Sequence, residues 1–194
     1  MNAMTPEDRL SVDDLFPFTL TRSVLDIRIG ILTLREKRER LAGLADANKF
    51  PLANSGAQQI RYPWDIFRLN AEAIGEDMAL ISNGRISQPI PASVQSISPE
   101  HIFIEEGARI SHCMLNASAG PIYIGRNAEI MEGSLIRGPF ALCEGAIVKM
   151  GSKIYGATTI GPHSIAGGEI RNSVIFGYSN KGHDGYLGDS VIGE

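Results

Sequence analysis

A short glycine-containing segment near the C-terminus carries the residue best suited to acid–base chemistry. Tyr178–Tyr186 reads Tyr-Ser-Asn-Lys-Gly-His-Asp-Gly-Tyr, with His183 near its centre. Histidine, whose usual pKa is about 6.5, can take a proton from an attacking hydroxyl or amine. Asp184 or Asp189 could orient the imidazole, and backbone N–H groups of the loop could hold an oxyanion. The simpler alternative is a loop histidine that caps a turn or faces water.

A repeat of six residues indicates the element that positions this segment. Aliphatic side chains recur at every sixth position through much of the C-terminal half, and small residues such as Ala128 and Ser134 follow four positions later. Helical faces repeat every 3.6 residues and strand faces every 2, so neither explains the pattern. The aliphatic residues in unbroken register are Ile124, Ile130, Ile136, Leu142, Val148, Ile154, Ile160 and Ala166.

A period of six fits a triangular coil in which each side is a short strand followed by a turn. The aliphatic residue points into the prism, the small residue lies near a corner, and three hexads, about 18 residues, close one coil. We therefore predict a mainly β fold, with a left-handed parallel β-helix over residues 102–194. The register breaks at 113–123 and 167–186, where function tends to be grafted. The predicted internal lines are Ile124, Leu142 and Ile160 for one, and Ile130, Val148 and Ala166 for another.

The residues before the coil predict a small helical segment. Hydrophobic periodicity indicates helices over Val24–Leu44, with Ser23 as a candidate N-cap, and over Trp64–Ile81. The proline-rich stretch 86–101 is expected to be a linker. Residues 1–85 provide too little apolar material for an independent enzyme domain. One use for the second helix would be to cap an open end of the solenoid.

Composition excludes several classes of function. The net charge is −4 and no basic stripe is present, which argues against a nucleic-acid partner. No apolar run approaches the roughly 20 residues that span a bilayer, and the N-terminus lacks a signal-peptide core. The two cysteines, Cys113 and Cys143, are too few for a disulfide framework and are expected to be small buried residues. These features predict a protein of the reducing cytoplasm.

A zinc site is an alternative, because the predicted solenoid resembles that of γ-type carbonic anhydrases. Those enzymes need three histidines, two of them five positions apart, whereas His101, His112, His163 and His183 include no such pair. The sequence therefore predicts no metal site, and it predicts that His112 and His163 occupy turns.

Hexapeptide solenoids are typical of a large acyltransferase superfamily, most members of which use coenzyme A thioesters and form trimers. Leu15–Arg22 resembles the L-x-P-L-T-x-x-R segment of sugar-1-phosphate nucleotidyltransferases. Further segments are similar to sugar nucleotidyltransferases related to the bifunctional N-acetylglucosamine-1-phosphate uridyltransferase / glucosamine-1-phosphate acetyltransferase. They are Asp26–Lys37, Tyr62–Phe67, Gly120–Gly125 and Ile136–Leu142.

The resemblance assigns roles to the C-terminal loop. Asn180–Asp189 resembles the K-A-N-H-L-x-Y-L-G-D segment of the acetyltransferase domain. It implies that His183 is the catalytic base and that Tyr186 binds a sugar phosphate, with acyl-CoA as the co-substrate. Asn180 and Lys181 are further substrate-binding candidates, although Lys181 is one residue out of register with the family lysine.

The nucleotidyltransferase head departs from the family pattern. Ser11–Asp14 stands where the family has a glycine-rich loop with an arginine that cradles nucleotide phosphates. Most of the α/β sheet expected between residues 51 and 61 is missing. Arg22 would be a phosphate ligand in an intact head, and Mg²⁺ is expected only there. We interpret residues 1–85 as a short, helical remnant of an α/β nucleotidyltransferase domain, with nucleotidyl transfer lost.

Two functions stay open at this point. The first is a transferase of sugar-nucleotide metabolism, a homotrimer that acts on a sugar phosphate or sugar nucleotide. The second is a non-catalytic trimeric scaffold. The chain is expected to be a shortened form or a fragment, because Glu194 precedes the coils that would complete an acyl-CoA groove.

Overall fold

The computed structural model describes residues 15–44 and 60–193. We call residues 15–44 and 60–82 the head segment; a solenoid follows it. Two short 3-10 turns, Phe18–Leu20 and Val24–Asp26, precede the first strand. The other elements of the head segment are β1 (Arg28–Ile29), β2 (Leu32–Thr33), α1 (Leu34–Leu41), α2 (Pro63–Arg68) and α3 (Asn70–Ser82).

The solenoid is built from three parallel sheets, one for each side of a prism. The first contains β4 (Ile102–Ile104), β7 (Ile122–Ile124), β10 (Phe140–Leu142), β13 (Thr158–Ile160), β16 (Val174–Ile175) and β19 (Val191–Ile192). The second contains β5 (Arg109–Ile110), β8 (Glu129–Ile130), β11 (Ile147–Val148), β14 (Ile165–Ala166) and β17 (Asn180–Lys181). The third contains β3 (Gln95–Ile97), β6 (Met114–Asn116), β9 (Leu135–Arg137), β12 (Lys153–Tyr155), β15 (Glu169–Arg171) and β18 (Tyr186–Gly188).

The predicted internal lines are confirmed. Ile124 pairs with Leu142 and Leu142 with Ile160 across the first sheet, and each is fully buried. The second line runs through Ile130, Val148 and Ala166 in the same manner. Each coil therefore buries its aliphatic residues against those of its neighbours. The left-handed sense of the coil stays a prediction.

The coils persist where the repeat loses its six-residue frame. Ile160 pairs with Ile175 on the next coil. The two residues are separated by less than three hexads, which means that this coil has a shorter corner. In the third sheet, Ile170 likewise pairs with Ile154 of the coil below and with Leu187 of the next coil. The register therefore changes at the corners while the strand pairing continues.

The head segment covers the outer side of the first sheet. Outward-facing residues of that sheet, including Phe103, Tyr123 and Ala141, are buried against Ile74 and Leu80 of α3 and other apolar residues of the head segment. The predicted end cap is therefore wrong, since the helix lies along a side of the prism. A sheet whose two faces are both buried explains why apolar residues flank the inward positions here.

The helix predicted over Val24–Leu44 is also wrong for its first half. A tight hairpin, β1 and β2, occupies 28–33, and only Leu34–Leu41 is α-helical. Gly30 forms the turn with φ of 76°, and a Cβ there would stand 2.5 Å from the Asp77 carboxylate. Glycine is required at this position because the conformation and the contact both exclude a side chain. The helix predicted over Trp64–Ile81 is confirmed as two helices separated at Leu69.

Buried side chains of α3 hold the hairpin against the solenoid. Asn70 accepts from Gly30 N at 2.8 Å and donates to the Ala157 carbonyl at 2.9 Å. Asp77 Oδ2 accepts from Ile31 N at 2.7 Å, and Oδ1 lies 2.8 Å from the Lys37 ammonium of α1. The side chains of Asn70 and Asp77 thus provide hydrogen-bond partners for backbone N–H and carbonyl groups that have none within a strand or helix.

The segment predicted as a linker has structure of its own. It contains β3, the first strand of the third sheet, and a 3-10 turn at Pro99–His101. Its prolines precede the strand or lie in the turn, where no ladder hydrogen bond is required of them. Across residues 15–44 and 60–193, none of the helices is both long enough and apolar enough to cross a membrane.

Candidate active site

The loop at residues 182–185 connects the second sheet to the third at one corner of the last described coil. It rests on Gly167 and Gly168 of the coil below. A Cβ added to Gly168 would stand 2.8 Å from the Gly185 carbonyl oxygen, so this corner has no room for a side chain. Gly185 O also accepts a hydrogen bond from Glu169 N at 3.1 Å. The coil below thus contacts the loop through the backbone of Gly167, Gly168 and Glu169.

His183 projects from this loop into solvent. Its side chain is exposed, and its imidazole makes no hydrogen bond with residues 15–44 or 60–193. Asp189, one of the two residues that could orient the imidazole, instead accepts from Arg171 at 3.1 Å and from Asn172 at 2.6 Å. Asp184 makes no hydrogen bond to the ring either, so neither predicted orienting contact forms.

Tyr186 begins β18 and lies on the open outer face of the third sheet. Lys153, Glu169 and Tyr186 are paired in register on neighbouring strands, which places Lys153 and Tyr186 about 10 Å apart. The side chain of Tyr186 folds back over Gly188 and contacts the Arg171 guanidinium. That contact, together with the charge of Asp189, raises the pKa of Arg171. Tyr186 therefore belongs to a polar, partly cationic surface.

The same face continues into an open groove of about 470 Å³. Met114 and Leu135 form its apolar side, and Arg137, Lys153 and Tyr155 supply its polar groups. Arg137 and Lys153 form no ion pair within the described part of the chain. A hydrogen bond from Tyr155 to the Glu169 carboxylate at 2.6 Å raises the pKa of Tyr155. The groove can therefore accept an anionic ligand that also carries an apolar portion.

Lys153, Tyr155 and Arg171 were not identified from the sequence. Lys153 and Tyr155 flank the inward residue Ile154, and Arg171 follows the inward residue Ile170. Residues on either side of an inward position must face outward in a strand. The sequence therefore did contain a signal for the cationic face. The signal was the presence of lysine and arginine next to inward positions of the repeat, on one side of the prism.

Lys181, predicted to bind substrate, directs its ammonium at backbone carbonyls. Its ammonium donates to the Gly167 carbonyl at 2.8 Å, to the His183 carbonyl at 2.6 Å and to the Gly185 carbonyl at 3.1 Å. Three carbonyl oxygens occupy the three donors of the ammonium in this arrangement, and the substrate-binding role of Lys181 stays a prediction. Asn180 is exposed and its Oδ1 atom lies close to Gly182, beside the same loop.

Arg22 lies on a different side of the molecule from the loop. Its guanidinium stacks over the Phe176 ring at 4.8 Å, at the end of β16 in the first sheet. The loop with His183 joins the other two sheets. The structure therefore brings His183, Tyr186, Lys181 and Asn180 together and leaves Arg22 apart.

His112 and His163 lie at corners of the solenoid, and the two cysteines lie in the interior. His112 and His163 take positive φ at corners, as predicted for turn residues, and His163 stacks on Tyr178 at 5.2 Å. Both cysteines are free and buried, as expected. No cluster of three or more His, Cys, Asp or Glu side chains suited to a metal ion occurs in residues 15–44 and 60–193.

Comparison with known proteins adds one match. Residues 6–49 match the family model described as sugar nucleotidyl transferase, which covers less than a quarter of the chain. No curated protein matches the chain. The matched segment and the parallel solenoid together fit a hexapeptide-repeat transferase.

Proposed function

We propose that this protein is a transferase of sugar-nucleotide metabolism that acylates a hydroxyl or amino group of a sugar phosphate or sugar nucleotide from an acyl-CoA thioester. One observation carries the proposal: an exposed histidine, His183, stands at the edge of an open face that presents Lys153, Arg171 and Tyr186. The match of residues 6–49 to sugar nucleotidyl transferases supports the same substrate class.

His183 would act as the general base. It takes the proton of the acceptor hydroxyl or amine while the acceptor oxygen or nitrogen bonds to the thioester carbonyl carbon. The tetrahedral intermediate then breaks its carbon–sulfur bond. The departing thiolate takes the proton from the imidazolium, so the products are the acylated sugar and free coenzyme A. The exposed imidazole leaves room for the acceptor to make the first contact.

The cationic face supports a phosphate-bearing substrate. Lys153 has no competing ion pair among the described residues, and Arg171 keeps donors beyond those directed at Asp189 and Tyr186. Arginine and lysine are the side chains that bind phosphate through charge-assisted hydrogen bonds. The Tyr186 ring, 61% exposed, offers an apolar surface beside these charges. A sugar phosphate combines both chemical characters.

We propose further that nucleotidyl transfer is not an activity of this chain. In the sequence, Ser11–Asp14 has acidic residues in place of the glycine-rich phosphate loop that the resemblance implies, and this segment lies outside the described residues. The Arg22 guanidinium is stacked on Phe176. Mg²⁺ is then not required. The test is release of pyrophosphate from nucleoside triphosphates incubated with sugar 1-phosphates; clear release at enzymatic rates would contradict this part of the proposal.

The acyl-transfer proposal is tested by coenzyme A release. Purified protein is incubated with acetyl-CoA and a panel of amino-sugar and hydroxy-sugar phosphates, and free thiol is followed with a chromogenic disulfide. His183→Ala should lower turnover by about 10²–10⁴-fold. Lys153→Gln should raise the KM for the sugar phosphate roughly tenfold, the value of one charged hydrogen bond. Lys149→Gln, at a lysine that directly follows β11 and lies outside the third sheet, is the control. Equal turnover by wild type and His183→Ala would refute the assignment.

A homotrimeric scaffold without catalysis is the second candidate. It is favoured by the apolar side chains Ile97, Met114 and Leu135, which are 37–50% exposed on the third sheet. Association of copies through this face would bury them. Sedimentation velocity of wild type and Leu135→Glu measures the association. A trimer that Leu135→Glu dissociates, with no thermal shift from coenzyme A or any sugar phosphate, would favour the scaffold over the enzyme.

A further inference from the structure

We infer that Lys181 is a positioning residue, an internal clamp whose ammonium holds the loop at 182–185 and so fixes His183 at the edge of the cationic face. The inference rests on the proposed function only in giving His183 the role of general base. The clamp itself is a statement about the loop, and it can be tested without a substrate.

The register of the solenoid places Lys181 in an inward position. It pairs with Ala166, which continues the internal line of Val148 and Ile130, so an aliphatic residue is expected here. An aliphatic residue would satisfy the packing of the coil without the cost of a charge. The lysine therefore needs an explanation other than core packing, and the three carbonyl oxygens around its ammonium provide one.

Two of those three carbonyls belong to the loop itself. The His183 carbonyl, 2.6 Å from Nζ, has Lys181 as its hydrogen-bond partner, and the Gly185 carbonyl is shared between Nζ and Glu169 N. The third carbonyl, that of Gly167, belongs to the coil below. The ammonium thus joins His183 and Gly185 of the loop to the preceding coil, with a charge on the donor of each bond.

Little else ties the loop down. Its contacts with Gly167 and Gly168 are backbone against backbone, and its side chains are polar and exposed. A segment with few apolar contacts and solvent-exposed hydrogen bonds is expected to open readily. Removal of the ammonium should therefore release 182–185 while the coils below stay folded.

The first experiment uses the wild-type protein. Lysines are acetylated in short pulses with acetic anhydride, and the rate at each site is read by mass spectrometry. Lys153, exposed and without an ion pair among the described residues, is the internal reference. Lys181 should react at least about tenfold more slowly, because the amine must first leave its carbonyl partners. Equal rates at the two lysines would overturn the clamp.

The second experiment removes the amine and then returns it. In Lys181→Ala the backbone order parameter of His183, measured by ¹⁵N relaxation, should fall from the rigid range of about 0.85 to below about 0.6. Propylammonium, which matches the lysine side chain beyond Cβ, should restore it with a saturable dose response, whereas 1-propanol should not. An unchanged order parameter in Lys181→Ala, or equal rescue by 1-propanol, would overturn the inference.

These outcomes separate the clamp from the proposed reaction. If Lys181 is protected and the loop depends on it, the clamp stands even if no acyl transfer is found. If coenzyme A is released by wild type and by Lys181→Ala at the same rate with a rigid loop in both, the transferase stands and the clamp is wrong. If Lys181→Ala does not fold, the acetylation rates of the wild-type protein still decide.

Discussion

The buried ion pair of the head segment yields a prediction with a defined dependence on pH. Lys37 and Asp77 are 1% and 0% exposed, and their charged atoms lie 2.8 Å apart. Burial raises the pKa of Asp77, while the Lys37 charge and the N–H groups of Leu32 and Ile31 offset part of that rise. Lys37→Met keeps an unbranched side chain but removes the cation, so the pKa of Asp77 should rise further.

The size of the stability change depends on whether the Asp77 carboxyl is ionised or protonated. Near neutral pH, Lys37→Met should lower the free energy of unfolding by about 3–5 kcal/mol, the usual cost of breaking a buried pair. Below about pH 4 the Asp77 carboxyl is protonated in the folded and unfolded states alike, so most of this cost disappears. As the pH rises above the raised pKa of Asp77 in wild type, the folded wild type releases this proton while the folded variant retains it. Stability of the variant therefore falls relative to wild type, by at most about 1.4 kcal/mol per pH unit.

Urea unfolding monitored by circular dichroism from pH 4 to pH 8 measures both proteins across this range. The same substitution at the exposed Lys153 is the control and should change stability by less than about 0.5 kcal/mol at every pH. A stability difference for Lys37→Met that stays constant from pH 4 to pH 8 would show that the Asp77 carboxyl carries no buried charge, and would refute the reasoning.

Two further predictions concern other buried groups. Asn70→Ala leaves the Gly30 N–H and the Ala157 carbonyl without partners, at about 1–3 kcal/mol each, so urea unfolding should show a loss of about 2–6 kcal/mol; a loss under about 0.5 kcal/mol would contradict the contacts. Burial raises the pKa of Cys113 to about 11 and also raises that of Cys143. At pH 8 neither thiol should react with iodoacetamide until urea unfolds the protein, and fast labelling of the folded protein would contradict this.

The solenoid could be predicted from the sequence because its constraint is periodic and local. A residue such as Leu142 faces inward only if the sixth residue on either side does too, so each aliphatic side chain supports the assignment of the next. The corners are less constrained. The coil between Ile160 and Ile175 contains fewer residues than three hexads, yet the two strands still pair. The six-residue spacing did not predict this shorter coil.

The hairpin at 28–33 could not be predicted from hydrophobic spacing. Ile27, Ile31 and Leu34 recur at helical intervals, yet the N–H groups of Gly30 and Ile31 are taken by side chains of α3. Those acceptors lie some forty residues later in the sequence. Gly30 in the middle of the pattern was the one local signal against a helix, since glycine is unfavourable inside one.

The position of the Lys181 ammonium has the same physical cause as the missed hairpin. In both places, side chains satisfy backbone groups that regular secondary structure leaves free: Asn70 and Asp77 accept from N–H groups, and Lys181 donates to carbonyls. A charged residue in an inward register position cannot remain without partners, and the carbonyls of an irregular corner are the nearest acceptors. A lysine that interrupts an inward aliphatic line next to a glycine-containing loop therefore predicts a clamp on that loop. By the same logic, cations that flank inward positions, such as Lys153, are the ones left for a ligand.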